Sequence, residues 1–246
     1  MVQKLFLFIL ILVSILLLSA CAGLAADLNR SESAANRDTL YQVSTISSLI
    51  AGQYDGDQTV ADLQQHGDFG LGTFNALDGE MIVSDGVVYQ VKADGIAYQA
   101  QNDTLTPFAA ITPFSADQEF ELKETLSCEE LQKHLAEQFL LANKPYALKI
   151  EGSFASMETR APRKQDKPYP PLSDALAEQV VFDFQDVRGA MIGFRLPEYM
   201  QEINSTGYHF HFLTEAKDAG GHVLDCQVEE VTIAVDDIDA YFIAIP

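Results

Sequence analysis

Residues 207–222 read Gly-Tyr-His-Phe-His-Phe-Leu-Thr-Glu-Ala-Lys-Asp-Ala-Gly-Gly-His, and they contain three of the five histidines of this 246-residue chain. Residues two apart on a β-strand share a face, so His209 and His211 lie on one side and the alternating aromatic residues on the other. The residues at 218–221 are turn formers, and an apolar segment follows them. The stretch therefore predicts a β-hairpin.

The register of this hairpin decides what its histidines can do. If the chain turns between residues 216 and 217, His211 lies opposite His222 with Cβ atoms about 5 Å apart, and His209 lies beside them. Three imidazoles that converge in this way favour zinc or a similar divalent metal and leave coordination positions open for a substrate. The pattern indicates a metalloenzyme. The alternative is that these are structural or solvated histidines, as single strand histidines commonly are.

Charge limits the classes of partner. The chain has 36 acidic and 15 basic residues and a formal net charge of −21. Nucleic acids and anionic lipid surfaces are bound by clustered Lys and Arg, so neither is expected to bind electrostatically. An anionic substrate is repelled at long range and needs a local cation, which a metal and a nearby arginine would supply.

The N-terminus has the pattern of an export signal. Residues 1–20 combine Lys4 with an apolar run at residues 5–18, long enough for a signal peptide and short for a membrane span. The run ends in Leu-Ser-Ala-Cys21, which resembles a bacterial lipoprotein cleavage box and predicts that Cys21 is the lipidated first residue of the mature chain. The protein would then be anchored at the outer face of a bacterial membrane. An ordinary signal peptide and a secreted protein are the alternative.

Two further cysteines remain, Cys128 and Cys226, and the sequence leaves open whether they pair. Cys226 shares a strand face with His222 but lies about 13 Å along it, too far for a common metal. A small buried residue is the prediction for Cys226.

The remaining sequence predicts an α+β protein with two mixed β-sheet lobes and few helices. Residues 21–37 are a polar, flexible tether. An N-terminal β-rich lobe at 38–170 ends in a proline-rich segment, and a C-terminal lobe at 171–246 carries the hairpin. Further predicted elements are helices at 59–65 and at 127–141, the latter capped by Ser127, and strands at 146–156, 180–184 and 187–196.

Two charged residues stand at unusual positions. Glu80 follows Asp-Gly at the start of an apolar strand, where a carboxylate is out of character, although a position at the rim would also explain it. Arg160 is a strand-end cation before Ala-Pro, and most such arginines are solvated. The pairs Gly79-Glu80 and Gly221-His222 are similar strand–turn–strand signals, so each lobe offers a hairpin to one cleft.

Several motifs follow one another along the chain, among them Gly67-Asp-Phe-Gly-Leu-Gly-Thr-Phe-Asn75, Leu77-Asp-Gly-Glu80, Arg160-Ala-Pro162 and Gly207-Tyr-His-Phe-His-Phe212. With these motifs in this order, residues 41–246 resemble the bacterial α-acetolactate decarboxylase family. The resemblance implies two mixed lobes with a metal in the cleft between them, usually in a homodimer. It also implies zinc bound by His209, His211 and His222, active-site roles for Glu80 and Arg160, and a position for Thr73 close to the substrate. Family members continue past the position of Pro246, and that further segment brings a second glutamate to the site.

The implied reaction is decarboxylation of 2-acetolactate, a small 2-hydroxy-3-keto acid, to acetoin and CO₂ through a zinc-stabilised enediolate. Arg160 would hold the carboxylate and Glu80 would donate the proton. Two alternatives are a non-catalytic surface zinc-binding lipoprotein and a zinc-dependent hydrolase with Glu80 as its base.

Overall fold

Two β-sheets, with short helices at their margins, make up the computed structural model, which describes residues 37–138, 141 and 143–245. The predicted signal peptide, the tether up to residue 36 and Cys21 lie outside the described residues. Residues 38–246 form one compact unit. The strands are β1 (Thr39–Val43), β2 (Gln58–Thr59), β3 (Phe69–Thr73), β4 (Glu80–Ser84), β5 (Val87–Val91), β6 (Ala97–Gln99), β7 (Leu105–Thr106), β8 (Ala109–Thr112), β9 (Gln118–Leu122), β10 (Leu126–Ser127), β11 (Tyr146–Ala161), β12 (Val180–Leu196), β13 (Gly207–Thr214), β14 (Gly220–Asp237) and β15 (Ala240–Ala244). The helices are α1 (Ile46–Ile50), α2 (Val60–Leu63), α3 (Cys128–Gln138) and α4 (Leu172–Leu176), with 3-10 turns at Asn75–Leu77 and Glu198–Met200.

The first sheet has seven strands in the order β15-β1-β8-β3-β4-β5-β6. All neighbours are antiparallel except β1 and β15, which run parallel, so the two ends of the described chain lie side by side. The second sheet is built on three long strands, β11, β12 and β14, with β9 and β10 paired to β14. Because β13 pairs with both β12 and the start of β14, these four strands form a closed circuit.

Residues 189–194 of β12 are all buried, because both faces of the second sheet are covered at this point. On β12, Met191 packs into a core inside the circuit with Phe154 and Phe212, whereas Ile192 packs against Leu71 in the core between the two sheets. The close packing of this core fixes the distance between the two sheets. This contact brings the ends of β4, β11, β13 and β14 together.

The α+β class with two mixed sheets is confirmed, but the sheets divide the chain differently from the predicted lobes. Residue 170 does not separate them, because β11 pairs with β12 and β14 across that position. The chain instead crosses between sheets at residues 113–117 and 238–239. In the described part of the chain, no helix is long and apolar enough to cross a bilayer.

Element boundaries also differ from prediction. The expected strands at 180–184 and 187–196 are one strand, β12, which passes through Asp186 with a φ of 51°. The helix expected at 59–65 is the single turn α2, which Thr59 and Asp62 close as a capping box. Ser127 caps α3 in the same way through Glu130, as predicted.

A disulfide joins Cys128 at the start of α3 to Cys226 on β14. The sequence left this pairing open because 98 positions separate the two residues. Cys226 is buried, as predicted.

Candidate active site and metal centre

The histidine hairpin forms with the predicted register. His211 on β13 is paired with His222 on β14, and Lys217 in the turn has the left-handed φ of 59° that such a tight connection needs. Phe210 and Phe212 are buried on the opposite face of β13, inside the core of the circuit. Their burial fixes the side on which His209 and His211 emerge.

The three imidazoles converge on one point. One ring nitrogen from each of His209, His211 and His222 lies within 4.8 Å of the other two, and His209 Nε2 is 3.2 Å from His222 Nδ1. The ring centroids are 4.9–5.3 Å apart. Three nitrogens at this spacing form a set of ligands on one side of a divalent cation, with the opposite side left to other ligands.

A hydrogen bond sets the tautomer of His211. Its Nδ1 lies 2.8 Å from the Met81 carbonyl oxygen, which can only accept, so Nδ1 carries the proton. In the neutral ring, Nε2 then has a free lone pair, and it lies 3.5 Å from Glu80 Oε2. Two acceptors that face one another in a buried site call for a cation or a proton between them. The ligand atoms of this site are therefore suited to a bound metal ion.

The electrostatics also favour neutral imidazoles. Burial, together with the charge of Arg160, lowers the pKa of His209 to about 4. Burial and the neighbouring His209 hold the pKa values of His211 and His222 well below the ordinary 6.5. A histidine binds a metal through its neutral form, so no proton has to be displaced from these rings at pH 7.

Glu80 reaches this point from the first sheet. It is the first residue of β4, and Gly79 before it has a φ of 91°. A Cβ at Gly79 would lie 2.3 Å from the Val91 carbonyl oxygen, so the chain can only enter β4 at this angle with glycine. Burial raises the pKa of the Glu80 carboxyl to about 7 against the opposing effect of the Arg160 charge.

Arg160 lies on β11 directly beside His222 on β14. Its Nη1 donates to Glu80 Oε1 at 3.2 Å, and the side chains of the two residues are only 14% and 8% exposed. This buried ion pair connects the two sheets. The expectation of a solvated arginine does not hold, nor does that of a glutamate on an exposed rim.

Thr73 pairs with Glu80 across β3 and β4. Its hydroxyl donates to the Gly79 carbonyl at 2.7 Å, so the proton is already used within the protein. The oxygen can still accept a hydrogen bond from a molecule in the cavity. Thr73 thus braces the turn that positions Glu80.

These residues line one cavity of about 300 Å³. The structure brings all six predicted site residues of the described chain into it: Thr73, Glu80, Arg160, His209, His211 and His222. Within the described residues, Glu80 is the sole carboxylate of the lining. Asp236, which precedes the end of the chain, is buried elsewhere against Ser115.

Apolar residues form much of the cavity lining, and the sequence analysis did not find them. Ile46, Leu49 and Ile50 of α1 and Leu172 and Leu176 of α4 form this apolar wall with Leu77, Phe108 and Pro162. A signal for α1 was available, since Thr45 caps the helix and the apolar residues follow at a spacing of three and four. The prediction missed α1 because five residues are too few for this spacing to identify a helix.

The chain matches known proteins over nearly all of the described residues. The family model described as alpha-acetolactate decarboxylase matches residues 40–246. The alpha-acetolactate decarboxylase of Methanosarcina mazei is 46% identical over 209 residues, which cover 85% of this chain and 73% of that protein. The Klebsiella aerogenes enzyme of the same name is 40% identical over 92% of this chain and 87% of its own length.

Solved structures agree with these matches. The crystal structure of alpha-acetolactate decarboxylase from Bacillus subtilis strain 168 superposes with a TM-score of 0.83 at 38% identity, covering 85% of this chain and 89% of that one. Sequence, fold and the family model all lead to the same assignment: this chain belongs to the alpha-acetolactate decarboxylase family.

Proposed function

We propose that this protein is a carboxy-lyase that converts 2-acetolactate to acetoin and CO₂. The observation that carries this proposal is the meeting of three neutral imidazoles with the Glu80–Arg160 pair in the lining of one cavity. The volume of about 300 Å³ suits a small hydroxy keto acid. Family membership supports the reaction class.

We assign to Arg160 the binding of the substrate carboxylate, which leaves as CO₂. Its guanidinium is the single cation in the described lining, and a planar set of donors can hold a carboxylate at two points. The apolar wall of α1 and α4 would contact the methyl groups and limit the entry of water. Loss of CO₂ leaves an electron pair that moves into the neighbouring ketone, giving an enediolate.

The proton that the enediolate carbon must receive is assigned to Glu80. A carboxyl group with a pKa of about 7 carries a proton in a large share of molecules at neutral pH, which a general acid requires. The Arg160 contact and the Thr73-braced turn keep Glu80 at the cavity wall.

His209, His211 and His222 would hold the metal, which we propose to be zinc or a similar divalent cation. When bound, the metal supplies Lewis-acid stabilisation for negative charge on the ketone and hydroxyl oxygens of the substrate.

Release of CO₂ and formation of acetoin by the purified protein with 2-acetolactate test this function. His222→Ala is expected to lose both bound zinc and acetoin formation, while the matched variant His134→Ala, on α3 and outside the cavity lining, keeps both. An active wild type with a fully active His222→Ala variant would reject the metal site. A wild type that binds zinc but leaves acetolactate unchanged would favour the non-catalytic alternative.

Export and lipid attachment at Cys21 are also proposed. Support comes from the Cys128–Cys226 disulfide, since such bonds persist mainly outside the reducing cytosol. Cys21→Ala is expected to move the protein from the membrane fraction to the soluble fraction of an expressing bacterium, and an unchanged distribution would reject the anchor.

A homodimer is proposed on the resemblance to the family. The edge strand β15 supports it, because Phe242 is 55% exposed there and the outer edge has no further strand in the described sheet. Light scattering of the purified protein should give the mass of two chains.

A further inference from the structure

Four of the 15 basic residues of the chain fall between positions 160 and 167, with Asp166 as the one acidic residue among them. This segment begins at Arg160, the next-to-last residue of β11, and leads toward α4. Arg160 and Pro162 within it line the cavity, as do Leu172 and Leu176 of α4. The net charge of −21 makes such a cluster unusual in this chain.

Two of these cations are free to act on a solute. Arg160 is paired with Glu80, and Lys167 is paired with Asp55. Arg163 and Lys164 are exposed, and no carboxylate lies within ion-pair distance of either in the described part of the chain.

Backbone contacts keep Arg163 and Lys164 beside the cavity. Pro162, which lines the cavity, precedes them, so the Cα atom of Lys164 lies within about 8 Å of that of Pro162. The next residue, Gln165, donates its backbone N–H to the Ala76 carbonyl at 2.7 Å, next to the lining residue Leu77. The Gln165 side chain also donates to the Arg163 carbonyl at 2.8 Å.

We infer that Arg163 and Lys164 form a cationic rim that draws the anionic substrate into the cavity. This inference rests on the proposed function, which makes the substrate a monoanion. A protein with a large negative charge repels an anion at distances where only the sum of charges matters, and a local pair of cations at the entrance offsets that repulsion. Two exposed acidic residues of the adjoining α4 region, Asp174 and Glu178, weaken the attraction of the cationic rim for an anion.

The expected size of the effect follows from Coulomb's law. Two unit charges at about 10 Å from a monoanion in water raise its local concentration about fourfold. Screening extends over about 30 Å at 10 mM salt and about 3 Å at 1 M, so the effect should be present at low salt and absent at high salt.

The test compares Arg163→Gln/Lys164→Gln with Lys123→Gln/Lys133→Gln. Both variants lose two positive charges and have the same net charge, but Lys123 lies between β9 and β10 and Lys133 lies on α3, and neither residue lines the cavity. Screening at 10 mM salt reduces the fourfold effect to about threefold, so the rim variant should lose about threefold in kcat/KM relative to the control variant, mostly through KM, and the two should converge at 1 M salt. Inhibition by acetoin, which is uncharged, should be equal in both.

Three results decide between the possibilities. Equal kcat/KM values for the two variants at low salt would overturn the rim. A loss that persists at 1 M salt, or weaker inhibition by acetoin, would also overturn it, since both indicate a direct contact or a structural role. A wild type that releases no CO₂ from acetolactate would instead reject the proposed function before any variant is compared.

Discussion

Arg160 occupies a position that demands a guanidinium rather than any cation. It reaches Glu80 on the other sheet through Nη1 at 3.2 Å, and only 14% of its side chain is exposed. Arg160 also lines the cavity, and a planar guanidinium can donate to both oxygens of a carboxylate together. A lysine ammonium has no such planar arrangement.

Replacement of Arg160 by lysine should therefore lower turnover while zinc stays bound. The charge is retained but the two-point hold is lost, and we expect acetoin formation to fall about 100-fold. Arg188→Lys is the matched control, because Arg188 is exposed on β12 and pairs with Glu215. A rate close to that of wild type in Arg160→Lys, measured with zinc content by atomic absorption, would remove Arg160 from the reaction.

Glu80→Gln tests the assignment of the proton donor. Glutamine has nearly the same shape and can still accept from Arg160, but its amide cannot donate a proton to carbon. We expect acetoin formation to fall by about 10²- to 10⁴-fold with the fold and the zinc content unchanged. If activity persists within a few fold, another group or water delivers the proton.

The roles of some site residues could be predicted from the sequence, and those of others could not. The three histidines could be identified from the residues alone, because one hairpin with a period of two brings them together. Glu80 and Arg160 gained their roles from the family resemblance, since their contact depends on how two sheets pack and no local pattern records that. For the same reason the Cys128–Cys226 bond could not be deduced.

Among the elements, β13 and β14 were the most predictable and β12 was not. The hairpin has a strict alternation and a glycine-rich turn, and these two features determine its register. Asp186 in β12 has a left-handed backbone conformation. At this position the sequence analysis predicted a break between two strands. The strand continues because β11 pairs with it on both sides of this position.

The disulfide is an element-scale brace, since it holds α3 against β14 four residues beyond His222. Closing a loop of about 100 residues in the unfolded chain corresponds to about 4.7 kcal/mol. Cys128→Ser/Cys226→Ser should therefore lower the free energy of unfolding in urea by about 2–5 kcal/mol.

Reductant provides the control for this prediction. Reductant should lower the urea midpoint of the wild type to that of the double variant, and it should leave the midpoint of the double variant unchanged. A wild type whose midpoint does not respond to reductant under unfolding conditions would show that the bond contributes nothing to stability.

For the molecule as a whole, the critical region is where the chain passes between its two sheets. The crossing at 113–117 contacts the end of β14, just before the crossing at 238–239: the backbone N–H of Asp117 donates to the Val235 carbonyl, and the backbone N–H of Asp237 donates to the Asp117 carboxylate. Asp236 lies at this junction and is fully buried. One of its oxygens accepts from the Ser115 backbone at 3.1 Å, and the other has no hydrogen-bond partner among the described residues.

Burial raises the pKa of Asp236 from 3.8 to about 7, and the nearby carboxylates of Asp117, Asp38 and Asp237 add to this effect. Lys144 does not relieve it, because its ammonium pairs with Asp237 and Asp239. In the unfolded chain the same group loses its proton near pH 4, so ionisation favours unfolding. This cost to stability is absent below pH 4, increases as the pH rises to about 7, and stays constant above that value.

Asp236→Asn should therefore stabilise the protein at pH 8 and have little effect at pH 4. The asparagine cannot ionise, so at pH 8 it removes the cost of ionising Asp236 in the folded protein, which is up to about 4 kcal/mol for a pKa raised from 3.8 to about 7. Urea unfolding at a series of pH values measures it, with the exposed Asp183→Asn as the control for the loss of one negative charge. If Asp236→Asn and Asp183→Asn depend on pH in the same way, Asp236 ionises freely in the folded protein and the junction of the two sheets carries no such cost.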